Sequence, residues 1–233
     1  MNALLATVLT FVISLAFLRL MDFFAHRGWI ESRFSRKLIH IGTGPIFVLC
    51  WLLFPDVPES RWLAALVPFA ITVQFVLVGL GVMKDEASVK AMSRTGDPKE
   101  ILRGPLFYGI MFVVMTVIFW KDTPTGMTAL MIMCGGDGIA DLVGGRVKSA
   151  SLPWSPSKTL AGSLSVFLGG WALSAFILAI YTGSGHFSES YTNSLIPVTI
   201  IAFISMLVES LPFKDIDNLT VTIVSAALGY FIF

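Results

Sequence analysis

Two carboxylates four residues apart interrupt a long apolar stretch, in Gly136-Asp137-Gly138-Ile139-Ala140-Asp141. On a helix this spacing puts both acids on one face, within reach of one cation or two adjacent ones. An acid at mid-bilayer costs about 2.5–3.5 kcal/mol on the insertion scale, so a pair persists there only where a ligand or partner offsets it. Hard oxygen ligands shared with substrate phosphates suit Mg²⁺. A pair neutralised by Arg or Lys within a bundle, or a proton or cation pathway, is the alternative reading of Asp137 and Asp141. The glycines around them (Gly135, Gly136, Gly138, Gly144 and Gly145) fit close helix approach and close backbone approach to phosphate equally well.

Beyond Arg146 comes Pro153-Trp154-Ser155-Pro156-Ser157-Lys158-Thr159. Its prolines exclude it from a helix interior. The pattern predicts a helix beginning near Ser157, whose free N–H groups attract anions, with Lys158 adding a point charge and Thr159 a hydroxyl. No Gly-x-x-x-x-Gly precedes the Lys-Thr pair, so this is not a Walker A loop. An ordinary capped helix with a snorkelling lysine is the simpler alternative. Arg36, Lys37 and His40 open another apolar run and suit phosphate contact, although a positive anchor explains the first two equally well. Asp97, Lys99, Glu100 and Arg103 form a mixed-charge loop that reads by itself as solvated surface. Glu209 closes one apolar run and Asp217-Asn218 opens the next. These three either complete a carboxylate cluster or hold Lys and Arg side chains in place.

The elements that position these groups are membrane spans. Of 233 residues, 55% are hydrophobic and 13% charged, against about 25% charged in a soluble domain. The expected fold class is therefore all-α, a polytopic transmembrane helix bundle forming one domain over residues 1–233. A bilayer core takes about 20 apolar residues per helix. Candidate spans are 2–21, 38–54, 62–82, 104–120, 125–144, 160–181, 194–210 and 217–233. That makes eight, or seven with a re-entrant segment, because the fifth carries the acids and the eighth starts at Asp217-Asn218. Cys50 and Cys134 fall inside apolar runs and read as buried thiols. The net charge of +1 gives no reason to expect nucleic acid as a partner, and oligomeric state is open.

All but two of the 16 Lys and Arg, namely Arg61 and Lys121, fall in the odd-numbered loops or at their edges. The positive-inside rule then puts those loops in the cytoplasm and both termini outside. Every polar cluster named above lies on that side. The first apolar run has no Lys or Arg before it, so it reads as a retained span. No transit-peptide composition precedes it, which favours a prokaryotic plasma membrane.

The sequence resembles the membrane family of phytol kinase, farnesol kinase and dolichol kinase. The resemblance rests on Arg36-Lys37-Leu38-Ile39-His40, Thr95-Gly96-Asp97-Pro98-Lys99-Glu100-Ile101-Leu102-Arg103-Gly104-Pro105-Leu106 and Gly136-Asp137-Gly138-Ile139-Ala140-Asp141. Ser155-Pro156-Ser157-Lys158-Thr159, Glu209 and Asp217-Asn218-Leu219-Thr220 complete it. It implies a CTP-dependent kinase acting on a long-chain isoprenoid alcohol of the phytol, farnesol or geranylgeraniol type. Asp137 and Asp141 would hold Mg²⁺ on the nucleotide triphosphate, while Lys158 and Arg146 act on the transferred group. The resemblance places Arg36, Lys37, His40, Lys99, Arg103, Gly136, Gly138, Gly145, Ser157, Thr159, Glu209, Asp217 and Asn218 around the nucleotide. The element 155–162 also looks like that of CTP-dependent phosphatidate cytidylyltransferase, which is the alternative. A cation-coupled transporter is a more distant one, since no inverted repeat is visible.

Overall fold

The computed structural model describes the whole chain except Arg94, Gly145, Lys214 and Asp215, and except the side chains of Asp22, Ser32, Arg33, Ala91 and Asp141. Among the described residues the regular elements are helices, apart from one two-stranded hairpin. Seven helical segments among the described residues are long and apolar enough to cross a membrane. An eighth apolar helix, Asp217–Ile232, extends for only about 24 Å at ~1.5 Å per residue, short of a hydrocarbon core of ~30 Å. The eight apolar segments read from the sequence are therefore all helices, and the last is the short one.

The chain forms two compact units, Met1–Val117 and Ile118–Phe233. The first contains α1 (Ala3–His26), α2 (Ser32–Cys50), α3 (Glu59–Gly79), the short α4 (Glu86–Met92) and α5 (Gly104–Ile118), which ends at the division. Helix α1 packs on α2 and α3, while α3 packs on a 3₁₀ turn at Pro98–Leu102. Phe75, Val78 and Ile101 form the core of that contact. The turn starts at Asp97, whose carboxylate accepts the N–H of Lys99 at 2.9 Å, and Pro98 at its first position has no N–H to satisfy.

The second unit holds α6 (Pro124–Ile132), a single π turn (Met133–Asp137), α7 (Gly138–Gly144), strands β1 (Ser151–Leu152) and β2 (Ser155–Thr159), α8 (Leu160–Gly183), α9 (Tyr191–Glu209) and α10 (Asp217–Ile232). Every residue of α6 from Thr125 to Ile132 is buried, as an all-round apolar helix requires. Around it pack α8 and α10, and α9 packs on both of those. Leu160, Leu164 and Leu168 of α8 are exposed. Their i, i+4, i+8 spacing makes a lipid-facing stripe.

The hairpin corrects one expectation. No helix begins at Ser157, because residues 155–159 are extended and α8 begins at Leu160. Pro156 biases Ser155 towards extended backbone. Thr159, at φ −120° and ψ 152°, is the N-cap, and its hydroxyl accepts the N–H of Gly162 at 3.2 Å. Lys158 thus sits on a strand, two residues before the first residue of the helix. The first turn of α8 does not leave the free N–H groups expected at Ser157: Leu160 N donates to the Ala150 carbonyl at 3.0 Å, Ala161 N to Ser149 Oγ at 3.0 Å and Gly162 N to Thr159.

Candidate active site

The acids of the fifth span sit where its helix changes form. Asp137 ends the π turn and α7 follows without a break. π turns arise within α-helices mostly as isolated insertions, frequently at functional sites. Tight packing accompanies this one. A Cβ on Gly135 would lie 2.6 Å from the Gly169 carbonyl oxygen, and one on Gly136 would lie 2.9 Å from Val166 Cγ1. Gly135 and Gly136 therefore serve helix approach, the first of the two accounts their positions allow. Gly145 lies outside the described residues. Asp141 is one turn beyond Asp137 in α7, and its side chain is also outside them.

Four of the polar residues singled out in the sequence converge in the second unit. Asp137, Glu209, Asp217 and Asn218 line one cleft with Met133, Val166 and Val221. The cleft has a cavity volume of about 10 Å³, room for about one water molecule. The lining carries three carboxylates and no Lys or Arg among the described residues.

Lys158 comes to this acidic group from the hairpin. Its ammonium forms a salt bridge with Glu209 Oε1. The other oxygen, Glu209 Oε2, is buried with no hydrogen-bond partner among the described residues. A second link lies next to the first, as Trp154 Nε1 donates to Ser210 Oγ at 3.2 Å. Ser157 and Arg146 are exposed on the surface of this unit.

The remaining candidates lie in the first unit. Arg36 Nη1 donates to the Ser93 carbonyl at 3.0 Å. Lys37 is buried. The Tyr108 hydroxyl donates to the His40 carbonyl at 2.9 Å, with the two rings 4.6 Å apart. Lys99 and Arg103 are exposed, as the solvated-surface reading has it, but Glu100 is not a surface charge of that kind. Its carboxylate accepts from Ser93 Oγ at 2.8 Å, Thr95 Oγ1 at 2.9 Å and Thr95 N at 3.2 Å. Gly96, at φ +90°, supplies the left-handed residue this turn needs. Glu100 thus shapes the loop and uses both its oxygens to do so.

Metal fit is decided by the donor set. No three His, Cys, Asp or Glu side chains among the described residues form a ready-made metal cluster. Mg²⁺ does not need one, since it keeps several waters and binds through one or two carboxylates plus substrate phosphates. Asp137, in a cleft of carboxylate oxygens with a buried Glu209 Oε2 beside it, fits that requirement.

The chain is 37% identical to a probable phytol kinase 1, chloroplastic, of Glycine max over 220 residues, covering 94% of this chain and 73% of the relative. It is 37% identical to phytol kinase 1, chloroplastic, of Arabidopsis thaliana over 209 residues, covering 89% and 69% of the two chains. The chain belongs to the phytol kinase and farnesol kinase family. Farnesol kinase, chloroplastic, of Arabidopsis thaliana is also 37% identical, over 89% of this chain and 68% of its own. No protein-family model matches the chain, and no solved structure does. The chloroplastic names of these family members give no support to a prokaryotic plasma membrane.

The alignment with farnesol kinase spans most of this chain, and so the acidic cleft and hairpin lie within a chain of this family. Sequence reading missed Met133, Val166 and Val221 as cleft residues, and Trp154 and Ser210 as a link. The first and third carried a signal. Met133 is four residues before Asp137 and Val221 four after Asp217, the spacing that puts them on the same helix faces as the acids. The Trp154–Ser210 link carried none.

Proposed function

We propose that this protein transfers the γ-phosphoryl group of CTP to the hydroxyl of a long-chain prenyl alcohol of the phytol or farnesol type. The names of its family members support the acceptor. The choice of CTP is supported by the motif resemblance alone. The single observation that carries the site assignment is the cleft of Asp137, Glu209 and Asp217 with the Lys158 ammonium salt-bridged at Glu209. A carboxylate-rich cleft beside a lysine suits a metal–triphosphate, and its apolar lining by Met133, Val166 and Val221 suits the end of a lipid.

In the reaction the alcohol oxygen attacks the γ-phosphorus, forming a new P–O bond. The bond from the γ-phosphorus to the β,γ-bridging oxygen breaks, and CDP leaves with that electron pair. The hydroxyl proton passes to a carboxylate or to solvent. The transition state of such transfers is loose, so positioning and electrostatics matter more than proton removal. Asp137 and Asp141 would hold Mg²⁺, which when bound neutralises charge on the β- and γ-oxygens. Lys158 brings positive charge to the oxygens of the transferred group, and the motif resemblance alone supports the same role for Arg146. The cleft lies at the Lys- and Arg-rich end of its span, the side that the positive-inside rule assigns to the cytoplasm.

The test supplies purified protein in detergent with farnesol or phytol and CTP labelled at either the α- or the γ-phosphate. γ-label in an organic-soluble product supports the proposal. α-label in a lipid product, with phosphatidate supplied in place of the alcohol, identifies a cytidylyltransferase instead. Flux of cations without any transfer identifies a transporter.

A further inference from the structure

Glu209 and Ser210 are consecutive residues at the end of α9, and both reach the β1–β2 hairpin. Glu209 takes the Lys158 ammonium, and Ser210 takes the indole N–H of Trp154 at 3.2 Å. One helix end therefore fixes two points of a two-stranded hairpin, a structure that is marginal by itself. Glu209 is 93% buried, since its side chain retains only 7% exposure, whereas Lys158 retains 20%. Helix α9 packs against both α8 and α10, so the carboxylate is anchored and the lysine is the partner that needs holding. A lysine stem has four carbons, and its head is a mobile point charge.

Asp137 and Asp217 share the cleft with Glu209. A lysine free of Glu209 would compete with the cation for the acids of the cleft.

Resting on the kinase reading above, we propose that Glu209 is a positioning residue for Lys158. It holds the ammonium at the cleft and limits its competition with the cation for the other acids there. Glu209 itself touches neither alcohol nor nucleotide in this assignment. It acts through Lys158.

The test is a double-mutant cycle on the full chain in detergent, reading γ-phosphoryl transfer from CTP to farnesol. Wild type, Lys158→Ala, Glu209→Ala and the double variant are compared, each checked for folding by its thermal midpoint. Glu209→Ala is expected to lower kcat roughly 10²-fold, the usual scale for a misplaced group, with KM for farnesol unchanged and the Mg²⁺ concentration for half-maximal rate raised. Glu209→Gln, which keeps an acceptor for the ammonium, should recover part of the loss. The double variant should be no slower than Lys158→Ala, because residues acting through one another are not additive. Where Lys158→Ala turns over too slowly to measure, Lys158→Arg replaces it in the cycle. Fully additive losses, or a Glu209→Ala variant with wild-type kcat and Mg²⁺ response, would overturn the proposal. Absence of γ-transfer in wild type, or a Lys158→Ala variant as fast as wild type, would instead overturn the kinase reading beneath it.

Discussion

Gly135 and Gly169 back directly onto each other. A Cβ on Gly135 would come within 2.6 Å of the Gly169 carbonyl oxygen, and a Cβ on Gly169 within 2.5 Å of that of Gly135. Both obstacles are backbone, so neither can yield by changing rotamer. This contact sets α8 against the π turn that carries Asp137. Gly135→Ala and Gly169→Ala are each expected to destabilise the protein by about 1–3 kcal/mol, the usual scale of overpacking. A lowered thermal midpoint in detergent checks this. Gly183→Ala, where an added Cβ meets nothing within 4 Å, should leave the contact intact and serves as the comparison. Equal midpoints for Gly135→Ala and wild type would show that the two helices separate without cost.

Asp137 is the described carboxylate that the metal assignment depends on most. Asp137→Asn keeps the shape of the side chain and removes its charge. Phosphoryl transfer should fall by roughly 10²–10³-fold or more, in line with the loss of one preorganised electrostatic group, while the thermal midpoint stays near wild type. Raising Mg²⁺ should recover part of the rate. Near-normal turnover in Asp137→Asn would remove this residue from the metal site.

Asp85 gives a pH-dependent prediction well away from the cleft. It caps α4, accepting the Ser88 hydroxyl at 2.6 Å, the Ser88 N–H at 3.0 Å and Gln74 Nε2 at 2.9 Å. These bonds, those from Ser88 foremost, hold its carboxyl below the ordinary carboxylate range. A group whose native pKa is depressed contributes stability above its unfolded value of about 3.9, and loses it as pH falls through the lower native value. Asp85→Ala should therefore lower the thermal midpoint at pH 7, and the gap to wild type should narrow as pH drops below about 4. A gap that stays constant down to about pH 2 would mean the charge contributes nothing there.

The membrane spans were legible because length and apolarity are what a bilayer demands, and residues 160–181 and 194–210 correspond to α8 and α9 with small changes at the ends. Asp137 was legible for a related reason, since an acid inside an apolar run is costly enough to demand an explanation. The hairpin was not read. Two prolines say where a helix cannot be, and Pro156 biases Ser155 towards extended backbone, but neither specifies a strand partner. The pairing of Lys158 with Glu209 joins residues 51 positions apart, and nothing local in either stretch specifies it. What the sequence does offer is a buried-charge argument: Glu209 ends an apolar helix, and such a carboxylate needs a cation. Which cation it takes is a property of the fold. Glu100 was misjudged by composition, because its neighbours Asp97, Lys99 and Arg103 are exposed while its own oxygens are committed to residues 93 and 95.

The central claim is that the cleft of Asp137, Glu209 and Asp217 beside Lys158 moves a γ-phosphoryl group to a prenyl alcohol. The most direct measurement follows CTP labelled at the γ-phosphate, with farnesol and Mg²⁺, in wild type and in Lys158→Ala. The account predicts label in an organic-soluble monophosphate with wild type, and a loss of at least about 10²-fold with the variant. Label that stays with the nucleotide in wild type, or equal transfer by both proteins, would contradict it.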